Sequence, residues 1–210
     1  MKRKLIIFAI TIVLAIGFLS GGKFICPLIE NVWFRITVNI VFNILIGVAA
    51  YIAIKLSDMR IDFEWKNYKQ YIIGIGIALV LSFFIAWLPA LCGFSLVGNK
   101  NKFNLFNTVF EFFYLLLVIA PVEELMFRIY CHNLFVGIFD KHKWIGVIIG
   151  AVLFGLFHFY NGWVNVLFAF GFGLIWGFAK QYLKDLHFPG LVVSHTLYDF
   201  LNYVVRITIL

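Results

Sequence analysis

Two adjacent carboxylates and an arginine, Glu123-Glu124-x-x-x-Arg128, interrupt an otherwise apolar run that extends from Phe110 to Phe135. On a helix Glu124 and Arg128 lie one above the other and can form a charge-assisted pair, while Glu123 points about 100° away toward a neighbouring groove. The spacing separates two roles. Arg128 can hold Glu124 ionised, and Glu123, desolvated and beside a like charge, is suited to taking a proton from water. Pro121 has no N–H to donate, so it loosens the helix just before the carboxylates and widens a site there. The plainer reading is an internal ion pair that pins helices together. It accounts for Glu124 and Arg128 and leaves Glu123 without a role.

A second polar position is His158. Gly146, Gly150, Phe154 and His158 recur at every fourth residue, so the small residues that let helices approach closely share a stripe with the histidine. By itself a histidine next to Tyr160 and Asn161 reads as an interfacial residue near the headgroups. The third position follows Pro189-Gly190, a natural helix start, after which His195, Asp199 and Asn202 fall on one stripe that must face protein or water. A hydrogen-bonded stripe joining helices would explain that pattern too. Ala169, Gly173 and Gly177 read as a packing face. His132, His142 and His187 lie near span ends or in loops and stay outside the site, and Cys26, Cys92 and Cys131 have neither disulfide-framework nor metal-ligand spacing.

These residues are informative because of the elements that must carry them. The chain of 210 residues is 63% hydrophobic and only 13% charged, far from the balance of a soluble domain. Its apolar stretches, at 5–20, 36–56, 71–91, 108–136, 144–160, 164–183 and 191–210, suit a hydrocarbon core that takes about 20 helical residues to cross. The expected fold is therefore all-α, a polytopic transmembrane bundle of about seven spans, organised as one integral membrane domain over residues 1–210. An ionisable side chain at mid-bilayer costs at least about 2.5 kcal/mol, so the polar positions within spans call for an explanation.

Met1-Lys2-Arg3-Lys4 followed by an apolar stretch resembles a signal peptide, but no Ala-x-Ala-like site follows, and a retained signal anchor is expected. With the N-terminus cytoplasmic, the inner segments hold Lys2, Arg3, Lys4, Lys55, Arg60, Lys66, Lys69, Lys141, Lys143, Lys180 and Lys184. The outer ones hold Lys23, Arg35, Lys100, Lys102 and Arg206. This asymmetry favours a multi-pass protein of the cell membrane with its N-terminus inside. The net charge of +7 is accounted for by topology and by attraction to anionic lipid, and no nucleic-acid role follows from it.

In their order, Glu123-Glu124-x-x-x-Arg128, Phe154-x-x-x-His158 and His195-x-x-x-Asp199 resemble the three motifs of the CPBP family, the CAAX-protease and bacteriocin-processing (Abi) intramembrane proteases. The resemblance runs from about Phe110 to Asn202, with a core at residues 108–205. It implies peptide-bond hydrolysis within the bilayer, with Glu123 as the water-activating base and His158 working beside it. His195 and Asp199 would bind metal or polarise the scissile carbonyl, and Glu124 and Arg128 would act structurally and electrostatically. His158 and His195 with a Glu could ligate a catalytic zinc that keeps one position open for water, although metal-free Glu/His activation serves the same chemistry.

Two positions depart from the family pattern. Asp199 stands where Asn is common, and an Asp cannot donate an amide hydrogen bond to an oxyanion. Ile129 stands where Gly commonly follows the arginine. The implied partners are a membrane-associated peptide or protein substrate and the lipid bilayer. A non-catalytic scaffold or bacteriocin-immunity protein of the same family, or an ion- or proton-coupled transporter, would use the same bundle differently. As a protease, the chain is expected to gather Glu123, Glu124, His158, His195 and Asp199 at one cavity near the midplane, opening toward the cytoplasm.

Overall fold

The computed structural model describes residues 1–94, 96–98 and 100–209, so Asn99 of one predicted loop and Leu210 at the end of the last predicted span lie outside the described residues. Helices carry the chain throughout. They are α1 (Lys2–Ile25), α2 (Val32–Leu56), α3 (Tyr68–Leu91), α4 (Leu105–Ile138), α5 (Lys143–Phe157), α6 (Trp163–Tyr182) and α7 (Phe188–Thr208). The fold is all-α, as the apolar periodicity requires. Of these, α1, α2, α3, α4 and α6 are long and apolar enough to cross a membrane. The 15 residues of α5 reach only about 22 Å, short of the roughly 30 Å hydrocarbon thickness.

Helix starts follow local chemistry. The side chains of Asn31, Asn67 and Asn104 accept hydrogen bonds from the backbone N–H groups of Phe34 (3.0 Å), Lys69 (3.1 Å) and Asn107 (2.9 Å), capping α2, α3 and α4. Pro189 occupies the first turn of α7, where its missing N–H costs nothing. Gly162, with φ at 94°, makes the turn between α5 and α6 in a conformation open to glycine.

Two helices contain widened, π-type turns placed alike relative to a proline. In α3 the segment Phe83–Trp87 ends two residues before Pro89, and in α4 the segment Leu115–Ile119 ends two residues before Pro121. The backbone N–H groups of Leu88 and Ala120 bond back five residues, to Phe83 and Leu115. Such a shift re-registers the ladder just ahead of a residue that cannot donate. A third π segment, Glu124–Cys131, carries the carboxylates and Arg128. The loosening expected at Pro121 thus extends along much of the helix on both sides of it.

The chain forms two compact units, Met1–Asp62 with Val122–Lys184, and Phe63–Pro121 with Asp185–Leu210. In the first, α1 packs on α2, α2 on the π segment of α4, and α5 against both α4 and α6. The glycine stripes work as close-packing faces. A Cβ on Gly146 would collide with the backbone of Phe135 and Val136, and one on Gly173 would lie 2.9 Å from Ala151 Cα. In the second unit α3 lies against α7, and a Cβ on Gly74 would come 2.5 Å from the carbonyl oxygen of Gly190. Gln70 of α3, fully buried, accepts the Gly190 N–H at 2.9 Å and donates to the Glu64 carbonyl, so one side chain links the start of α7 to the loop that precedes α3.

Candidate functional site

In the first unit the polar residues of α4 face α5 in a fixed register. Gly146 meets Val136, Gly150 meets His132, and Phe154 meets Arg128, each four-residue step forward along α5 answering one step back along α4. The predicted stripe is therefore an interface, with Phe154, one turn before His158, set against Arg128.

Arg128 occupies the centre of this arrangement. It is 2% exposed, its Nε lies 3.5 Å from Glu124 Oε2, and its guanidinium carbon stands 3.9 Å from the Phe154 ring centroid and 5.4 Å from that of Trp176. Its two Nη atoms make no hydrogen bond among the described residues, so ring faces and the Glu124 carboxylate stabilise the charge. The Phe127 ring packs edge-on against Phe154 at 5.2 Å and Phe157 at 5.0 Å, closing the apolar surroundings. Burial separates the two carboxylates: Glu124 is fully enclosed, whereas Glu123 is half-buried. The enclosed one is paired with the arginine, and of the other the Oε2 atom is buried as well.

His158 is the C-terminal cap of α5, which stops at Phe157, short of the Tyr160 to which the apolar stretch runs. Its Nδ1 lies 2.9 Å from the Phe154 carbonyl oxygen, which accepts its proton. That bond makes Nε2 the basic nitrogen of the neutral ring, and the edge-on contact with Phe154 at 4.8 Å limits its rotation. Phe154 therefore touches both polar partners: its ring covers Arg128 and its carbonyl fixes the His158 tautomer.

In the second unit His195 is buried, and its Nε2 lies 3.3 Å from Asp199 Oδ2, whose side chain is 33% exposed. The i, i+4 pair read from the sequence is present. Ser82 donates to the Tyr198 carbonyl oxygen at 3.4 Å and Phe112 packs on Phe200 at 5.1 Å, fixing this stretch of α7 against α3 and the first half of α4. The second contact also sets Glu111 within electrostatic reach of Asp199 and Arg206. Glu111 went unremarked in the sequence because it has no charged partner at helical spacing on its own helix.

His132 was also passed over as a residue near a span end. It is 2% exposed and continues the Glu124, Arg128 stripe by one more step of four, with Nε2 3.3 Å from its acceptor Gln181 Oε1. Beside it Lys180 Nζ donates to Asn133 Oδ1 at 2.8 Å. The i, i+4, i+8 spacing from Glu124 was the available signal. No three His, Cys, Asp or Glu side chains among the described residues come together as a metal ion would require.

Residues 105–201 match the family described as Type II CAAX prenyl endopeptidase Rce1-like. Among curated proteins, the UPF0177 protein YbdI of Lactococcus lactis subsp. lactis (strain IL1403) is 29% identical over 131 residues, covering 57% of this chain and 68% of that protein. No solved structure matches. All three motifs quoted above fall inside the matched segment, which ends two residues after Asp199.

Proposed function

We propose that this multi-pass membrane protein, whose residues 105–201 are of the Rce1-like CAAX-endopeptidase family, hydrolyses a peptide bond of a membrane-associated peptide or protein. What supports this reading is the α4–α5 interface, where Phe154 contacts both Arg128, the partner of Glu124, and His158. Glu123 takes a proton from water, and the resulting hydroxide attacks the scissile carbonyl. His158, its Nδ1 proton committed to Phe154, offers Nε2 as an acceptor to the attacking water, and Glu123 returns the proton it took to the departing amine. Glu124 and Arg128 form the neutral, buried anchor that holds the neighbouring carboxylate in place. On α7 His195 and Asp199 form a polar pair of their own, in which Asp199 accepts from Nε2 and orients the ring. This assignment gives Asp199 a role that needs no amide proton.

The lysine and arginine asymmetry supports an N-terminus in the cytoplasm. Comparing membrane peptides from cells carrying the native chain and its Glu123→Gln form tests the activity. The native chain should generate new termini that the variant does not, whereas indistinguishable peptide sets would leave the bundle as a scaffold. Flux that follows an ion gradient would instead make it a transporter.

A further inference from the structure

The first unit holds a cavity of about 170 Å³ beside the turn that carries His158. Its wall includes Lys23 of α1, Asn39 and Asn43 of α2, and Tyr160 and Asn161 just after His158. Two asparagines four residues apart within a membrane span need a polar purpose. They are aligned along the wall, Asn43 Nδ2 donating to both the backbone carbonyl (2.9 Å) and the Oδ1 (3.0 Å) of Asn39. The opposite side is held firmly. Tyr160 shares a 2.8 Å hydrogen bond with the Ser20 hydroxyl, and its ring meets Phe24 edge-on at 5.8 Å.

The lining chemistry indicates what this cavity takes. A carboxamide presents the same donors and acceptor as a peptide unit, and the wall carries three of them against a single cation. An anionic headgroup would find one counter-charge, whereas an extended peptide would find a partner for both its N–H and its C=O groups. The volume falls below the roughly 300–1,000 Å³ of pockets that enclose whole small molecules and suits a short stretch of chain. Hydrolysis within a bilayer also creates the need. A helical substrate must unwind before its carbonyl can be attacked, and the released backbone groups are costly in lipid unless the enzyme pairs them.

We propose that this cavity is a peptide subsite, where Asn39, Asn43 and Asn161 hydrogen-bond the main chain of an extended substrate segment next to the bond presented to His158. The subsite rests on the protease reading for its purpose, but its occupancy can be measured without catalysis. The Glu123→Gln protein in lipid nanodiscs is irradiated with a diazirine-bearing acetyl-trileucine amide, and adducts are mapped by mass spectrometry. Labelling is expected on α1 near Gly22, on α2 near Phe42 or at Phe157–Asn161. The parent tripeptide should compete, and its N-methylated counterpart, which lacks main-chain donors, should not.

Asn39→Leu combined with Asn43→Leu should lower labelling about tenfold, and Asn161→Ala, on the exposed rim where folding is not at stake, should lower it severalfold. Labelling elsewhere, or equal competition by the N-methylated peptide, overturns the proposal. So does a cavity labelled by photoactivatable phosphatidylglycerol in the nanodisc that the tripeptide fails to displace. If the cavity binds no peptide while the native chain still shows Glu123-dependent cleavage, the subsite alone falls. If it binds as expected and no such cleavage exists, the protease reading alone falls.

Discussion

The Arg128 guanidinium lies flat enough on Phe154 to bring its central carbon 3.9 Å from the ring centroid, and this contact is one rung of the register that joins α4 to α5. Four residues before Arg128 is Glu124, and four after Phe154 is His158. A residue with no reactive group thus ties the acid end of one helix to the histidine of the next.

Removing the arginine should expose how much of the unit depends on it. Arg128→Ala leaves the fully buried Glu124 without its cation, a loss that typically costs about 3–5 kcal/mol. Thermal unfolding in detergent should show the drop. Adding Glu124→Gln to the same chain should recover part of it, because the two side chains are coupled. Equal melting of native and Arg128→Ala proteins would contradict the pairing.

The register itself is tested at glycine. A methyl group at Gly146 would collide with the α4 backbone at Phe135 and Val136, whereas one at Gly76 would meet nothing within 4 Å. Gly146→Ala should therefore destabilise by about 1–3 kcal/mol, as overpacking does, and reduce activity with it. Gly76→Ala, in the middle of α3, should be neutral or stabilise by about 0.5–1 kcal/mol. Unfolding midpoints of the two variants should separate in opposite directions.

Asp199 stands where the family that the motifs resemble commonly has Asn, and the two residues can be exchanged. If its work is to accept a hydrogen bond from His195, Asp199→Asn keeps an acceptor and should retain activity within about tenfold. Asp199→Ala removes the orienting partner and should cost about 10- to 100-fold, the range seen when a partner that fixes a histidine is lost. Cleavage rates for both variants, measured at matched protein levels, decide the role. A more severe loss in Asn than in Ala would assign Asp199 a chemical step of its own.

Much of this arrangement was legible in the sequence because it is periodic. Steps of four join Glu124 to Arg128, Phe154 to His158 and His195 to Asp199, and the helices carrying them follow from apolar run length. The depth of His132 was not legible, since its partner Gln181 lies on another helix, and neither was the cavity that Asn39 and Asn43 line together with Tyr160 and Asn161. The early end of α5 was hidden as well. Phe159 and Tyr160 continue the apolar pattern, but the glycine at 162 and the short turn before it end the helix at Phe157.

Topology can be read from a native cysteine. With the N-terminus inside, α3 runs outward and ends beside Cys92, which is exposed, while Cys26 and Cys131 are buried. A membrane-impermeant thiol reagent should therefore label intact cells at Cys92. Labelling only after the cells are broken would invert the assigned orientation.

The most direct test of the central claim follows the oxygen of the attacking water. Membranes bearing the native chain or its Glu123→Gln form are incubated in water enriched in heavy oxygen, and newly formed peptide C-termini are analysed by mass spectrometry. Water activation by Glu123 predicts C-termini that carry one heavy oxygen with the native chain and are absent with the variant. Equal amounts of the same labelled termini from both proteins would contradict it.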